Sequence, residues 1–167
     1  MARFNAANDI INNTAVEVGL GSTVDPVGSS DDKFKQMTGL LNTAGQELVE
    51  MHEWQALVNR IDFTTQALDT GNYDLPDDFA YMIDQTGWDR SNSVPMGGPL
   101  SAQDWTYLEG RDLVSSTIYA SFRLLDNKLA LFPQPPPEGL RVTFEYISRN
   151  WVANQANQTE RYDTIQT

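Results

Sequence analysis

Cysteine is absent from the 167 residues, and histidine occurs once. Without a thiol there is no disulfide, no cysteine nucleophile and no thiolate ligand for structural zinc. The one imidazole, His52, acts as a general base only beside an orienting partner and a nucleophile, and its neighbours Glu50, Glu53 and Trp54 supply neither. It is assigned a structural place at a helix end. Cations are scarce too: 11 Lys and Arg stand against 23 Asp and Glu, a formal charge of −12. Affinity for phosphate comes mainly from Lys and Arg displacing counterions, so this balance argues against wrapping nucleic acid. It is compatible with a wall past which DNA slides without sticking, but an acidic surface kept for solubility is the plainer reading. No apolar run approaches the ~18 residues of a bilayer span, and the start MARFNAANDIINN has no hydrophobic segment with a cleavage site. Neither a membrane span nor a secretory leader is expected, and folding is expected in a cytoplasm-like compartment.

Signals for metals, phosphates and paired acids are equally thin. DTGNYD places Asp69, Asn72 and Asp74 in a turn, but its spacing departs from a calcium loop and the bidentate Glu is missing, so a Gly-Asn turn is the better reading. GLGS near residue 19 lacks a preceding strand and a following lysine, and PMGGPL runs into an extended proline. The acid pairs Asp31-Asp32 and Asp77-Asp78 are adjacent in sequence. A glycosidase needs two carboxyl groups about 5–10 Å apart across an aromatic cleft, whereas adjacent acids point apart on a strand. No catalytic residue, cofactor or metal site is assigned, and the chain is expected not to be an enzyme.

What is present is enough chain for one domain, burying ~70% of its unfolded surface, and an aromatic share of 10% with four tryptophans. Residues 1–55 are expected to be a helical part. In NAANDIINNTAVEVGL the positions Ala7, Ile10, Ile11, Thr14 and Val18 repeat at helical spacing, with Gly19 or Gly21 as the stop. A second helix follows Ser30 or Asp31 as cap, and Phe34, Met37, Leu41, Ala44, Leu48 and Met51 step by 3, 4, 3, 4, 3 to form a stripe.

After Trp54 the period shortens to 2, and residues 56–152 are expected to be an antiparallel, sandwich-like β part of about five strands. LVNRIDFTT and FAYMIDQT alternate, and SNSVPMGGPL is extended. Ser101 with Asp104 opens a short helix through Leu108. STIYASFRLLDNKLALFP predicts a hairpin with Asp126 and Asn127 in a type I′ turn. QPPPEG makes a bend, and LRVTFEYISRNW is the last strand. Residues 153–167, polar and without a stripe, are expected to form an extended or disordered C-terminal arm. The fold class expected is therefore α+β.

The order of these parts resembles the tail tubular protein A, or head-tail connector adaptor, family of short-tailed bacteriophages. The likeness spans about residues 30 to 152, and four pieces carry it: Tyr73, Leu75, Pro76, Asp78 and Phe79; Trp88 and Arg90; Gly98, Pro99, Leu100, Ser101 and Trp105; and Phe144, Glu145, Tyr146 and Trp151. The resemblance implies a virion structural protein that forms a ring of twelve copies between the portal protein and a tail nozzle or tail tube protein. It also implies tail fibres as possible neighbours, and a lumen through which DNA passes without specific binding. Assembly in the host cytoplasm and location at the head-tail junction follow from the same likeness, with the quoted residues as structural or interface positions. Members of the family continue into further helices where this sequence ends at Thr167. A carbohydrate-binding or tail-fibre-associated β module is the alternative that the aromatic strands leave open.

Overall fold

The computed structural model describes residues 6–110, 120–154 and 160–165. The protein is α+β, with helices α1 (Ala7–Glu17), α2 (Asp32–Met51) and α3 (Ala102–Gly110) and antiparallel sheets. It divides into two compact units, one made of Met1–Leu57 with Arg149–Thr167 and the other of Val58–Ser148.

In the helical unit, α1 turns Ile11 and Ala15 against Phe34 of α2. Gly19 takes φ +77°, and Leu20 N–H donates to Ala15 C=O at 2.8 Å, a left-handed stop of the kind glycine favours. Asp31 caps α2 by accepting from Lys33 N–H at 3.1 Å. The connecting loop is held by two asparagines one helical turn apart. Asn12 donates to Thr23 C=O at 2.8 Å and accepts from Thr23 N–H at 3.1 Å, while Asn8 accepts from Val27 N–H at 3.3 Å.

Two expectations are corrected in this unit. The stripe on α2 holds through Phe34, Met37 and Leu41, but then the buried line passes through Gly45 and Val49, leaving Leu48 and Met51 exposed. The reason is the second correction: the described residues of the expected C-terminal arm, 153–154 and 160–165, are not separate from the helical unit. Strands β9 (Val152–Ala153) and β10 (Arg161–Tyr162) pair as a hairpin. Trp151 seats its ring where a Cβ on Gly45 would overlap it. Asn42 accepts from Ile165 N–H at 2.8 Å, Arg161 donates to Ala56 C=O at 2.7 Å, and Trp151 Nε1–H donates to Asp163 C=O at 2.7 Å. Polar backbone contacts of this kind leave no apolar period in the sequence.

The β unit has two sheets. One runs β1 (Val58–Thr64), β8 (Arg141–Ser148), β4 (Trp88–Asp89), β5 (Val94–Pro95), with β3 (Phe79–Met82) also on β8. The other runs β2 (Asn72–Asp74), β7 (Lys128–Phe132), β6 (Ser121–Leu125). Val142 and Phe144 of the first sheet share a core with Phe122, Leu129 and Leu131 of the second. On the other face of β7, Ala130 and Phe132 pack with Trp105 of α3.

The β6–β7 turn has Asp126 and Asn127 at φ +51° and +55°, the conformation expected of that pair. The first residues of the expected hairpin segment, 116–119, lie outside the described residues. Strand β5 lies in the stretch expected to be extended, while β2 and β4 add to the strands that alternation predicts, since two or three residues carry too little of it to detect. QPPPEG is clasped by Thr65, whose hydroxyl donates to Pro137 C=O and accepts from Leu140 N–H at 2.9 Å.

Candidate functional site

Strands β1 and β2 are each at the end of their sheet, and between them the sandwich gapes. A cavity of about 450 Å³ opens there. Ile61 and Phe63 line it from β1 and Tyr73 and Asp74 from β2, over a floor of Leu75, Leu129 and Phe144. The placement follows from alternation: Ile61 and Phe63 point inward while Arg60 and Asp62 point out. The Phe63 and Tyr73 rings stand 4.5 Å apart at 39°, a tilted contact that fixes the mouth's aromatic wall. Asp69 holds the rim: its Oδ2 accepts from Tyr73 O–H at 2.8 Å and from Gln66 N–H at 2.6 Å. Asp74 pairs with Lys128 at 3.1 Å. Outside the mouth, the Arg141 guanidinium binds Asp62 in a fork and holds that carboxyl below its ordinary value.

Burial, and then the hydrogen bond to Asp69, push the Tyr73 phenol well above its usual range. Burial and the bond from its O–H to Asp78 at 2.9 Å raise Tyr146 as well. A folded-state pKa above the unfolded one contributes stability that is complete below the unfolded value, about 10 for a phenol, and lost as pH rises through the folded value. Stability is therefore expected to hold to about pH 10 and to fall above it. Absorbance at 295 nm should show these two phenols ionising only as the protein unfolds, and Tyr73→Phe should flatten the alkaline decline. Full ionisation of all six tyrosines near pH 10 in the native protein would contradict this.

The family-motif positions do not gather at one surface. Leu75 and Phe144 are core and Tyr73 borders the mouth. Pro76 follows Leu75 in the mouth's lining, and Phe79 stacks on Tyr146 with centroids 5.5 Å apart. Asp78 is half-buried and accepts from both Tyr146 O–H and Asn59. Trp88 lies under the Arg90 guanidinium at 5.5 Å, while Arg90 Nε–H donates to Thr143 at 2.8 Å. Pro99 follows a cis peptide bond, and Ser101 caps α3 by accepting from Asp104 N–H at 3.2 Å. Trp105 is buried on Phe132, and Trp151 belongs to the helical unit.

That helical unit has a surface of its own. Leu40, Leu48 and Met51 are 69%, 54% and 77% exposed, on the α2 face that also bears exposed Ala44. His52 ends the helix with its ring edge-on to Trp54 at 5.1 Å. Asp69, Asn72 and Asp74 diverge, Asp69 turning to Tyr73 and Asp74 to Lys128. Among the described residues no group of three or more His, Cys, Asp or Glu could hold a metal ion, and no helix is long and apolar enough to cross a membrane.

Sequence reasoning passed over Phe63 and weighed Asp69 only as a metal ligand. Phe63 stood in the alternation of LVNRIDFTT, but nothing local shows that its strand lies at a sheet's end. No family model matches the chain, and no curated protein matches it.

Proposed function

We propose that this chain is a structural protein of a short-tailed phage virion, a head-to-tail adaptor. It forms a ring of twelve copies between the portal protein and the tail nozzle or tube. The ring encloses a passage for DNA during packaging and ejection, and tail fibres are further neighbours. The observation that carries this reading is the open apolar line Leu40, Ala44, Leu48, Met51 on α2. A helix that leaves such a line in water, on a chain of net charge −12, has the makings of an assembly element that repels DNA rather than gripping it. The order of the motifs from Tyr73 to Trp151 supports the same reading.

The test is assembly with the cognate portal, followed by size-exclusion and negative-stain microscopy. Rings are expected only when portal is present. Leu48→Asp, at an exposed site, should leave the melting temperature within a few degrees, since surface changes stay within about 0.5 kcal/mol. It should lower ring occupancy more than about tenfold, because assembly would bury an unpaired carboxylate. Rings formed equally well by the variant would remove α2 from the interface.

The aromatic wall of Phe63 and Tyr73 beside polar Gln66 and Asp69 favours a second reading, a carbohydrate-binding or fibre-associated β module. Saccharide retained by the monomer on a glycan array, with no ring on the portal, would select it.

A further inference from the structure

The seven residues of β1 pair with β8 along one side only. An antiparallel strand points the N–H and C=O of alternate residues to each side, so half of this backbone faces away from β8. Among the described residues nothing covers that edge except the Gln66 side-chain amide, which donates to Thr64 C=O at 3.3 Å. The edge of β6 is different: Gly97 and Leu100 exchange backbone hydrogen bonds with Ala120 and Phe122 and close it. An edge this long, left bare, is a template for an added strand.

The mouth opens at that same edge, and its lining holds two carboxylates, Asp69 and Asp74, and no Lys or Arg. Asp74 has Lys128. Among the described residues half-buried Asp69 has no cation: both donors it accepts from, Tyr73 and Gln66, share Oδ2, and Oδ1 is left for another. Below it lie Phe63 and the apolar floor.

We propose that the mouth is a docking site for an extended, basic segment of a partner protein. The segment adds to β1 as a further strand. It lowers one Lys or Arg into the mouth, with the methylene stem against Phe63 and Tyr73 and the charged head at Asp69 Oδ1. Lys and Arg have this division between apolar stem and charged tip, and an aromatic wall favours a cation over it. Because side chains on a strand alternate, only every second residue of the segment faces the mouth. This site requires neither the ring nor the portal and so stands apart from the first reading, whereas it takes the same mouth as the second, with a basic segment in place of a saccharide.

The test uses the full chain and a dye-labelled peptide of about nine residues, β-branched around a central lysine, followed by fluorescence anisotropy. The lysine peptide is expected to bind, and the same peptide with a central glutamate to bind about tenfold more weakly or worse. Methylating the amide nitrogens of alternate residues should abolish binding in one register and spare it in the other. Asp69→Asn still accepts from Tyr73, so it should fold normally and lose about three- to tenfold in affinity. The proposal is overturned by no binding of the lysine peptide, by equal affinity for the glutamate peptide, or by indifference to N-methylation in both registers. It is also overturned if the amide chemical shifts of Val58–Thr64 and of the rim around Asp69 and Tyr73 stay in place while others move.

Discussion

Asp89→Ala is expected to destabilise the β unit by about 3 kcal/mol and lower its melting temperature by roughly 10 °C. Asp89 is 1% exposed at the end of β4, yet it carries no ion pair among the described residues. Its Oδ1 accepts from Ser91 N–H at 2.9 Å and Asn92 N–H at 3.1 Å, and its Oδ2 from the Asn92 amide at 2.6 Å. Alanine leaves two backbone donors unmet at about 1–3 kcal/mol each, while the Asn92 side chain swings to water. The turn so shaped presents Ser91, whose hydroxyl donates to Gly139 C=O at 3.1 Å and accepts from Arg141 N–H at 2.9 Å. Loss of the turn therefore loosens the start of β8, the strand that holds β1, β3 and β4. Asp89→Asn keeps one acceptor oxygen and should cost about 1 kcal/mol, and Asp77→Ala, exposed, less than about 0.5. Urea unfolding measures all three, and equal effects of Asp89→Ala and Asp77→Ala would refute the assignment.

How legible such features were depends on the range over which they act. The α+β class, β1, β8, the Asp126–Asn127 turn and the Ser101 cap were all readable because each is set within about ten residues, by alternation, a turn pair or a box. Asp89 was not, because GWDRSNS shows an acid near amides without showing that it is buried. The mouth was not either, since Phe63 and Tyr73 meet only because β1 and β2 end their respective sheets, a property of topology rather than of any window. The second half of the α2 stripe failed for a related reason. Apolar periodicity named Ala44, Leu48 and Met51, while the buried line used Gly45, whose value lies in having no side chain.

Gly45→Leu should be the most damaging exchange in the helical unit, about 3 kcal/mol at the upper end of overpacking, because the new side chain and the Trp151 indole claim one space. Even Gly45→Ala is informative. In a helix interior, glycine to alanine is ordinarily stabilising by about 0.5–1 kcal/mol. At Gly39, which has nothing within 4 Å of the position a Cβ would take, that gain is expected in full. At Gly45 the first added carbon already overlaps the Trp151 ring, and the cost of displacing a seated indole exceeds the helix gain, so the sign reverses. Once Trp151 is displaced, the bonds from Trp151 to Asp163 and from Ile165 to Asn42 should go with it. Hydrogen exchange and limited proteolysis read this directly: in Gly45→Leu the backbone of β9 and β10 should exchange and be cleaved early, while Val58–Ser148 stays protected. If Gly45→Ala stabilised as much as Gly39→Ala, the return of the C-terminal segment onto α2 would be refuted. The buried line through Gly45 and Val49, and with it the exposed face carrying Leu48, would then have to be redrawn.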